Sequence, residues 1–268
     1  MGKVYTIVNQ KGGVGKTTTS INLGAYLGLF NQRVLLVDID PQANATSCLG
    51  IDKNSIRNGT YEVLIGTQPV SDQILHNPRF RISLLPSSPN LAGAEIELID
   101  LPERESRLRK LVDPLRSRYD YILIDCPPSL GLLTLNGLMA AFDGVIIPVQ
   151  CEYLALEGLG QLTQTLTRVR QNLFPTLDIK GVVLTMFDGR TNLSSDVMSE
   201  VQRVFPNRVF NTFIPRSIRL AEAPSFGMPI SVYAPESIGA KAYRALAMEL
   251  LSSNGTALHE IQEQHYGT

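Results

Sequence analysis

The chain has 268 residues, 44% hydrophobic and 18% charged, enough to bury a sizeable core as one domain or as two small ones. No apolar run approaches the ~18 residues of a membrane-crossing helix, and Met1 leads through Lys3 straight into a β-like stretch with no secretory pattern, so a cytoplasmic protein is expected. Lys+Arg 24 against Asp+Glu 25 gives a net charge of −1, which does not announce nucleic acid, and Cys48, Cys126 and Cys151 lack the number and spacing of a disulfide framework or a zinc site.

Along the chain, short β-branched apolar runs alternate with segments of helical period. "VYTIVN" reads as a first strand and is followed by a helix from Thr17 to Phe30. Further strands are predicted at "RVLLVDID", "RISLLPSS", "YDYILIDCPP", "GVIIPVQ", "IKGVVLTMF" and "VFNTFIP". Between them lie helices at Pro102 to Arg118, Gly131 to Ala141, Ala155 to Leu173, Ser194 to Val204 and Ser237 to Leu251. Several strands are apolar throughout, which suits burial on both faces. The alternation predicts an α/β fold with a mostly parallel, twisted sheet and helices on both sides, and the glycine-rich loop before the first helix makes the expected fold P-loop NTPase-like. No linker divides the chain, so residues 1–252 are expected as one domain and residues 253–268 as a polar tail that is a candidate for disorder.

The loop between the first strand and the first helix, "NQKGGVGKTTTS", nearly fits the phosphate-binding pattern G-x-x-x-x-G-K-[ST] but has Gln10 where that pattern needs glycine. Gly12, Gly13 and Gly15 leave room for backbone N–H groups to close on a phosphate at a helix N-terminus. Lys16 is placed to reach the outer phosphates and Thr17 to offer its hydroxyl to Mg²⁺, with Val14 and Thr18 completing the loop. Asp38 and Asp40 close one strand and Asp125 another, at the strand ends that line the ligand crevice of an open α/β sheet. Asp38 and Asp125 are candidate metal-site groups, and Asp40 could orient an attacking water. Lys11 is open to two readings, a second cation for the nucleotide or a surface lysine reaching from a loop.

"KGGVGKTTTSINLG", "LLVDIDPQANATS", "YILIDCPPSLG", "PVQCEYLALEGL", "LTMFDGRTNLS" and "IPRSIRLAEAPSFGMPI" together resemble, in order, the motifs of the ParA/Soj chromosome-partitioning ATPases. These belong to the deviant Walker A (MinD/ParA) group, and the resemblance runs from about Lys3 to Leu251. It implies ATP and Mg²⁺ as cofactors, and an ATP sandwich homodimer in which Lys11 reaches the nucleotide of the other subunit while Gly12 lies at the interface. It also implies sequence-independent binding to double-stranded DNA, association with the nucleoid in the ATP state, and hydrolysis stimulated by a ParB-type partner. Met186, Pro215 and Ser217 resemble adenine-side loops, with ordinary strand-end packing as the alternative. Arg190, Arg216 and Arg219 fall in loops that resemble DNA-contacting segments, with Lys180, Arg203 and Lys241 secondary. The span from Gln161 to Leu220 holds eight basic residues against four acidic ones. Arg219 could instead pair with Glu222 at i,i+3. One departure is Ala43, where many relatives have the glycine of "DPQGN". The chain is expected to lack the extra N-terminal DNA-reading domain of larger plasmid-type relatives, which points to the short chromosomal type.

Two other readings share the loop. A membrane-recruited MinD-like ATPase would end in a basic amphipathic helix, whereas no Lys or Arg follows Arg244. An iron–sulfur reductase component would need paired cysteines, and Cys126 has no suitable second one, so it reads as packing. No catalytic or metal role falls to His76, His259 or His265.

Overall fold

The protein is described by a computed structural model over residues 1–152 and 155–256, with the backbone alone at 155–157. In chain order the elements are β1 (Lys3–Ile7), α1 (Lys16–Leu29), β2 (Val34–Asp38), α2 (Asn44–Cys48), α3 (Thr60–Ile65), β3 (Leu75–Asn77), β4 (Ile82–Leu85) and α4 (Ala94–Glu97). Then come α5 (Arg107–Val112), β5 (Tyr121–Asp125), α6 (Leu132–Met139), β6 (Val145–Gln150), α7 (Ala155–Asn172), β7 (Ile179–Thr185), α8 (Asn192–Val204), α9 (Ile218–Glu222), α10 (Ile230–Tyr233) and α11 (Ile238–Ser253). The seven strands form one sheet in the order β3-β4-β2-β5-β1-β6-β7. Every pairing is parallel except that of β3 with β4.

Each central strand sends alternate side chains to opposite faces, and both faces are buried. Val4, Ile122 and Ile124 join a core covered by α3 to α8, while Tyr5, Ile7 and Leu123 join a second core under α1, α2 and α9 to α11. That two-sided burial explains why these strands read as continuous apolar runs rather than as alternating ones. Helix α6 lies unusually close to the sheet. A Cβ on Gly137 would sit 2.7 Å from the Cys126 sulfur, and the Gly137 carbonyl accepts a hydrogen bond from the Thr6 hydroxyl at 2.6 Å. Cys126 is fully buried, and burial raises its thiol pKa well above the ordinary value, so it packs as a small apolar residue.

Three expectations change in detail. "VFNTFIP" is not a strand: it follows β7 through isolated bridges at Val209 and Pro215. The Glu249 carboxylate accepts the backbone N–H groups of Asn211 (2.7 Å) and Thr212 (2.9 Å), which removes them from any ladder. The helix expected over Pro102 to Arg118 is a six-residue α5 followed by a tighter turn over Asp113–Ser117, with Pro114 at the junction. At the C-terminus, α11 continues to Ser253, and the Asn254 side chain joins the Tyr5 and Tyr121 hydroxyls and the Lys180 ammonium at 2.7–3.1 Å. The described residues continue to Thr256, and the rest of the expected tail, 257–268, lies outside them.

Candidate functional site

The C-terminal ends of β1, β2 and β5 lie side by side, with Asp125 in register with both Ile7 and Asp38. The loop leaving β1 turns into α1 through Gly13 (φ 74°) and Gly15 (φ 87°), a left-handed backbone that favours glycine. Lys16 opens the helix, is 7% exposed, and donates from Nζ to the Lys11 carbonyl at 3.1 Å, curling back over the loop. Burial lowers its pKa, while Asp125, Cys126 and Asp40 act in the opposite direction. The loop is braced from β7, where the Thr185 hydroxyl donates to the Val14 carbonyl at 2.9 Å.

Thr17 donates to Asp125 Oδ2 at 2.7 Å and Ser20 to Oδ1 at 2.8 Å, so Asp125 is buried with both oxygens engaged from α1. Asp38 lies beside it with no exposed surface. Its Oδ1 accepts the Asp40 N–H at 3.1 Å, and its Oδ2 accepts the Thr46 N–H at 2.9 Å and hydroxyl at 2.8 Å. Burial raises the pKa of both acids; the hydrogen bonds they accept pull the other way. Both Asp38 oxygens are thus engaged in its own loop, and the Thr17 hydroxyl, held in place by Asp125, is the candidate protein group for a cation. Among the described residues no group of three His, Cys, Asp or Glu side chains has metal-holding geometry. The Thr17 hydroxyl suits Mg²⁺, which keeps several waters and takes few protein ligands besides phosphate oxygens.

Asp40 is 5% exposed and accepts the Gln42 N–H at 2.9 Å. Ala43 follows in the left-handed region at φ 50°, ψ 41°, the conformation that a glycine would take without strain, at a cost of about 1 kcal/mol for alanine. The departure visible in the sequence thus places an alanine in a backbone conformation that glycine adopts more easily.

The three expected adenine-side residues meet in one cavity of about 250 Å³, where Met186, Pro215 and Ser217 line a space with Gly15, Thr18 and Tyr243. Met186 is itself left-handed (φ 51°), and Phe187 pairs with Pro215 across the cavity wall. Strain of this kind collects at ligand clamps.

Lys11 lies on the rim with its side chain 28% exposed and Nζ 4.0 Å from Glu152 Oε2. Glu152 also accepts from Arg216 at 3.3 Å, a link that sequence reading did not anticipate. Among the described residues, a Cβ on Gly12 would meet nothing within 4 Å. Each arginine expected at DNA has an acidic neighbour: Arg190 forks onto Asp188 (2.8 and 2.7 Å), Arg216 meets Glu152, and Arg219 takes the i,i+3 partner Glu222 at 2.9 Å. Such exposed pairs are weak and exchangeable. Arg203 likewise pairs with Glu200 and Lys241 with Glu236. Lys180 is placed differently, at the start of β7 and bonded to Asn254, at the opposite end of the sheet from the loop. It is not part of this surface.

The chain matches the AAA domain family over residues 2–179. It is 53% identical over 255 residues to the sporulation initiation inhibitor protein Soj of Bacillus subtilis, covering 95% of this chain and 100% of that one. It is 52% identical over 252 residues to the chromosome partitioning protein ParA of Myxococcus xanthus, covering 94% and 88%. A solved structure, cobyrinic acid a,c-diamide synthase from Mycobacterium smegmatis with bound ATP analog and magnesium, is similar with a TM-score of 0.85 and 40% identity, covering 96% of each chain.

Proposed function

Since the chain belongs to the ParA/Soj family of chromosome-partitioning ATPases, we propose that it is an ATP-dependent DNA-binding switch. ATP and Mg²⁺ bind at the loop between β1 and α1, two copies close face to face, and the pair holds DNA without regard to sequence until a ParB-type partner stimulates hydrolysis. The supporting observation is the rim: a Cβ on Gly12 would meet nothing within 4 Å among the described residues, and Lys11 stands partly exposed above a loop whose inner positions Lys16 already fills.

Loop amides and the Lys16 ammonium hold the phosphates. The Thr17 hydroxyl, fixed by Asp125, holds the cation. Mg²⁺ supplies neutralisation of phosphate charge and orients the γ-phosphoryl group. Asp40 accepts a hydrogen bond from the attacking water, and Lys11 of the partner subunit meets the charge that develops on the transferring group. Met186, Pro215 and Ser217 receive the adenine.

Gly12→Val should leave ATP binding intact and block pairing, because a Cβ there meets nothing within 4 Å among the described residues of its own subunit. Light scattering that shows a normal ATP-dependent dimer would count against the interface. DNA binding rests on Arg190, Arg216 and Arg219, which would exchange carboxylate partners for phosphates. A mobility shift on unrelated duplexes should appear only with ATP and weaken steeply with salt. Arg219→Glu should abolish it while ATP binding and pairing persist. Binding that ignores nucleotide and salt, or survives the triple change Arg190→Ala/Arg216→Ala/Arg219→Ala, would remove this surface from the reading.

A further inference from the structure

The loop that carries Asp40 is held by hydroxyl groups that belong to no phosphate-loop motif. Thr46 donates its hydroxyl to Asp38 Oδ2 at 2.8 Å, and the Thr46 hydroxyl oxygen in turn accepts the Ser87 N–H at 2.9 Å. Ser87, just beyond β4, donates its own hydroxyl to the Asp40 carbonyl at 2.8 Å. The circuit closes through the Asp40 N–H on Asp38 Oδ1 at 3.1 Å. Thr60 adds a bond from its hydroxyl to the Asp38 carbonyl at 2.8 Å and from its N–H to the Pro86 carbonyl at 2.8 Å. Asp38, Thr46, Thr60 and Ser87 have no exposed surface, so none of these bonds competes with water.

The backbone of Asp40 is thus fixed on both sides, its N–H to β2 and its carbonyl to the segment after β4, while its side chain is left with the Gln42 N–H. Such a circuit costs structural freedom at a loop that also carries the left-handed Ala43. A water-orienting carboxylate needs such fixing, because a displacement of about 1 Å at a reacting centre can lower turnover by about a hundredfold. We propose that Thr46 and Ser87 are positioning residues for Asp40, acting through its backbone rather than touching the nucleotide. The inference rests on the reading of Asp40 as the group that orients water.

The test compares Thr46→Val, which keeps the shape but removes the hydroxyl, with Thr46→Ser, which keeps the hydroxyl, and with Ser87→Ala, which keeps the N–H bond to Thr46 and loses only the bond to Asp40. In the nucleotide-free full chain, amide hydrogen exchange over residues 40–47 should speed up by about tenfold in Thr46→Val and Ser87→Ala. Their kcat for phosphate release at saturating ATP and Mg²⁺ should fall by about tenfold or more, with affinity for a fluorescent ATP analogue within about twofold of the parent. Thr46→Ser should restore both readouts. Faster exchange with unchanged kcat would show a role in stability alone and overturn the proposal, as would unchanged exchange. If Thr46→Val fails to fold, Ser87→Ala carries the same decision, because it adds no bulk and strands no donor. Asp40→Ala separates the two readings: normal turnover in that variant removes the water-orienting role, whereas a dead Asp40→Ala beside fully active Thr46→Val and Ser87→Ala removes only the positioning role.

Discussion

Lys16→Ala is expected to lower ATP affinity by about a thousandfold, the equivalent of two lost charge-assisted hydrogen bonds at roughly 2 kcal/mol each. Lys16 is the cation already turned inward over the loop, buried and bonded to the Lys11 carbonyl. The fold should survive the change. In the nucleotide-free protein the ammonium makes one hydrogen bond and bears a desolvation penalty, seen in its lowered pKa, which its removal relieves. The melting temperature without ATP should therefore stay within a few degrees of the parent, while the rise that ATP produces by mass action disappears. Titration of a fluorescent ATP analogue and paired melting curves read both effects. Parent-like affinity would remove the loop from the binding site, and collapse of the nucleotide-free fold would assign Lys16 a structural role.

Much of this site was legible because it depends on local chain order. The glycine loop between β1 and α1, the acids closing β2 and β5, and the run of doubly buried strands are all read within short windows. What escaped reading depends on long-range approach. Ser87 meets Asp40 across 47 positions of sequence and Thr185 meets Val14 across 171, and nothing in the neighbourhood of either hydroxyl marks its partner. The misread strand over 209–215 has the same origin, since its β-like composition is overridden by Glu249, a side chain of α11. Likewise β3 escaped because "LHN" is short and largely exposed, and only its antiparallel pairing with β4 makes it a strand. The surface arginines show the opposite case. Arg219 and Glu222 stood three residues apart on a predicted loop, and the pair is there, yet a weak exposed ion pair does not prevent the same arginine from meeting a phosphate.

Lys11→Gln should differ from Lys16→Ala in kind: ATP still binds to the single subunit, but turnover falls by about a thousandfold, the scale of a cation delivered in trans to a transferring phosphoryl group. In its own subunit the Lys11 ammonium is 4.0 Å from Glu152, a loose and partly exposed contact from which it can swing outward at little cost. Mixing separates delivery in trans from delivery in cis. Lys11→Gln and Asp40→Ala should each be inactive alone. In a mixed pair, the nucleotide held by the Lys11→Gln subunit has its own Asp40 and receives Lys11 from the Asp40→Ala subunit, so one of the two sites is complete. Random pairing at equal concentrations makes half the dimers mixed, so about a quarter of parent turnover should return. If Lys11 acted in cis, each site in the mixed pair would lack either the lysine or the aspartate, and the mixture would stay as inactive as its components. Phosphate release measured across mixing ratios decides between the two, and a maximum at equal amounts is the signature of a site built from two subunits.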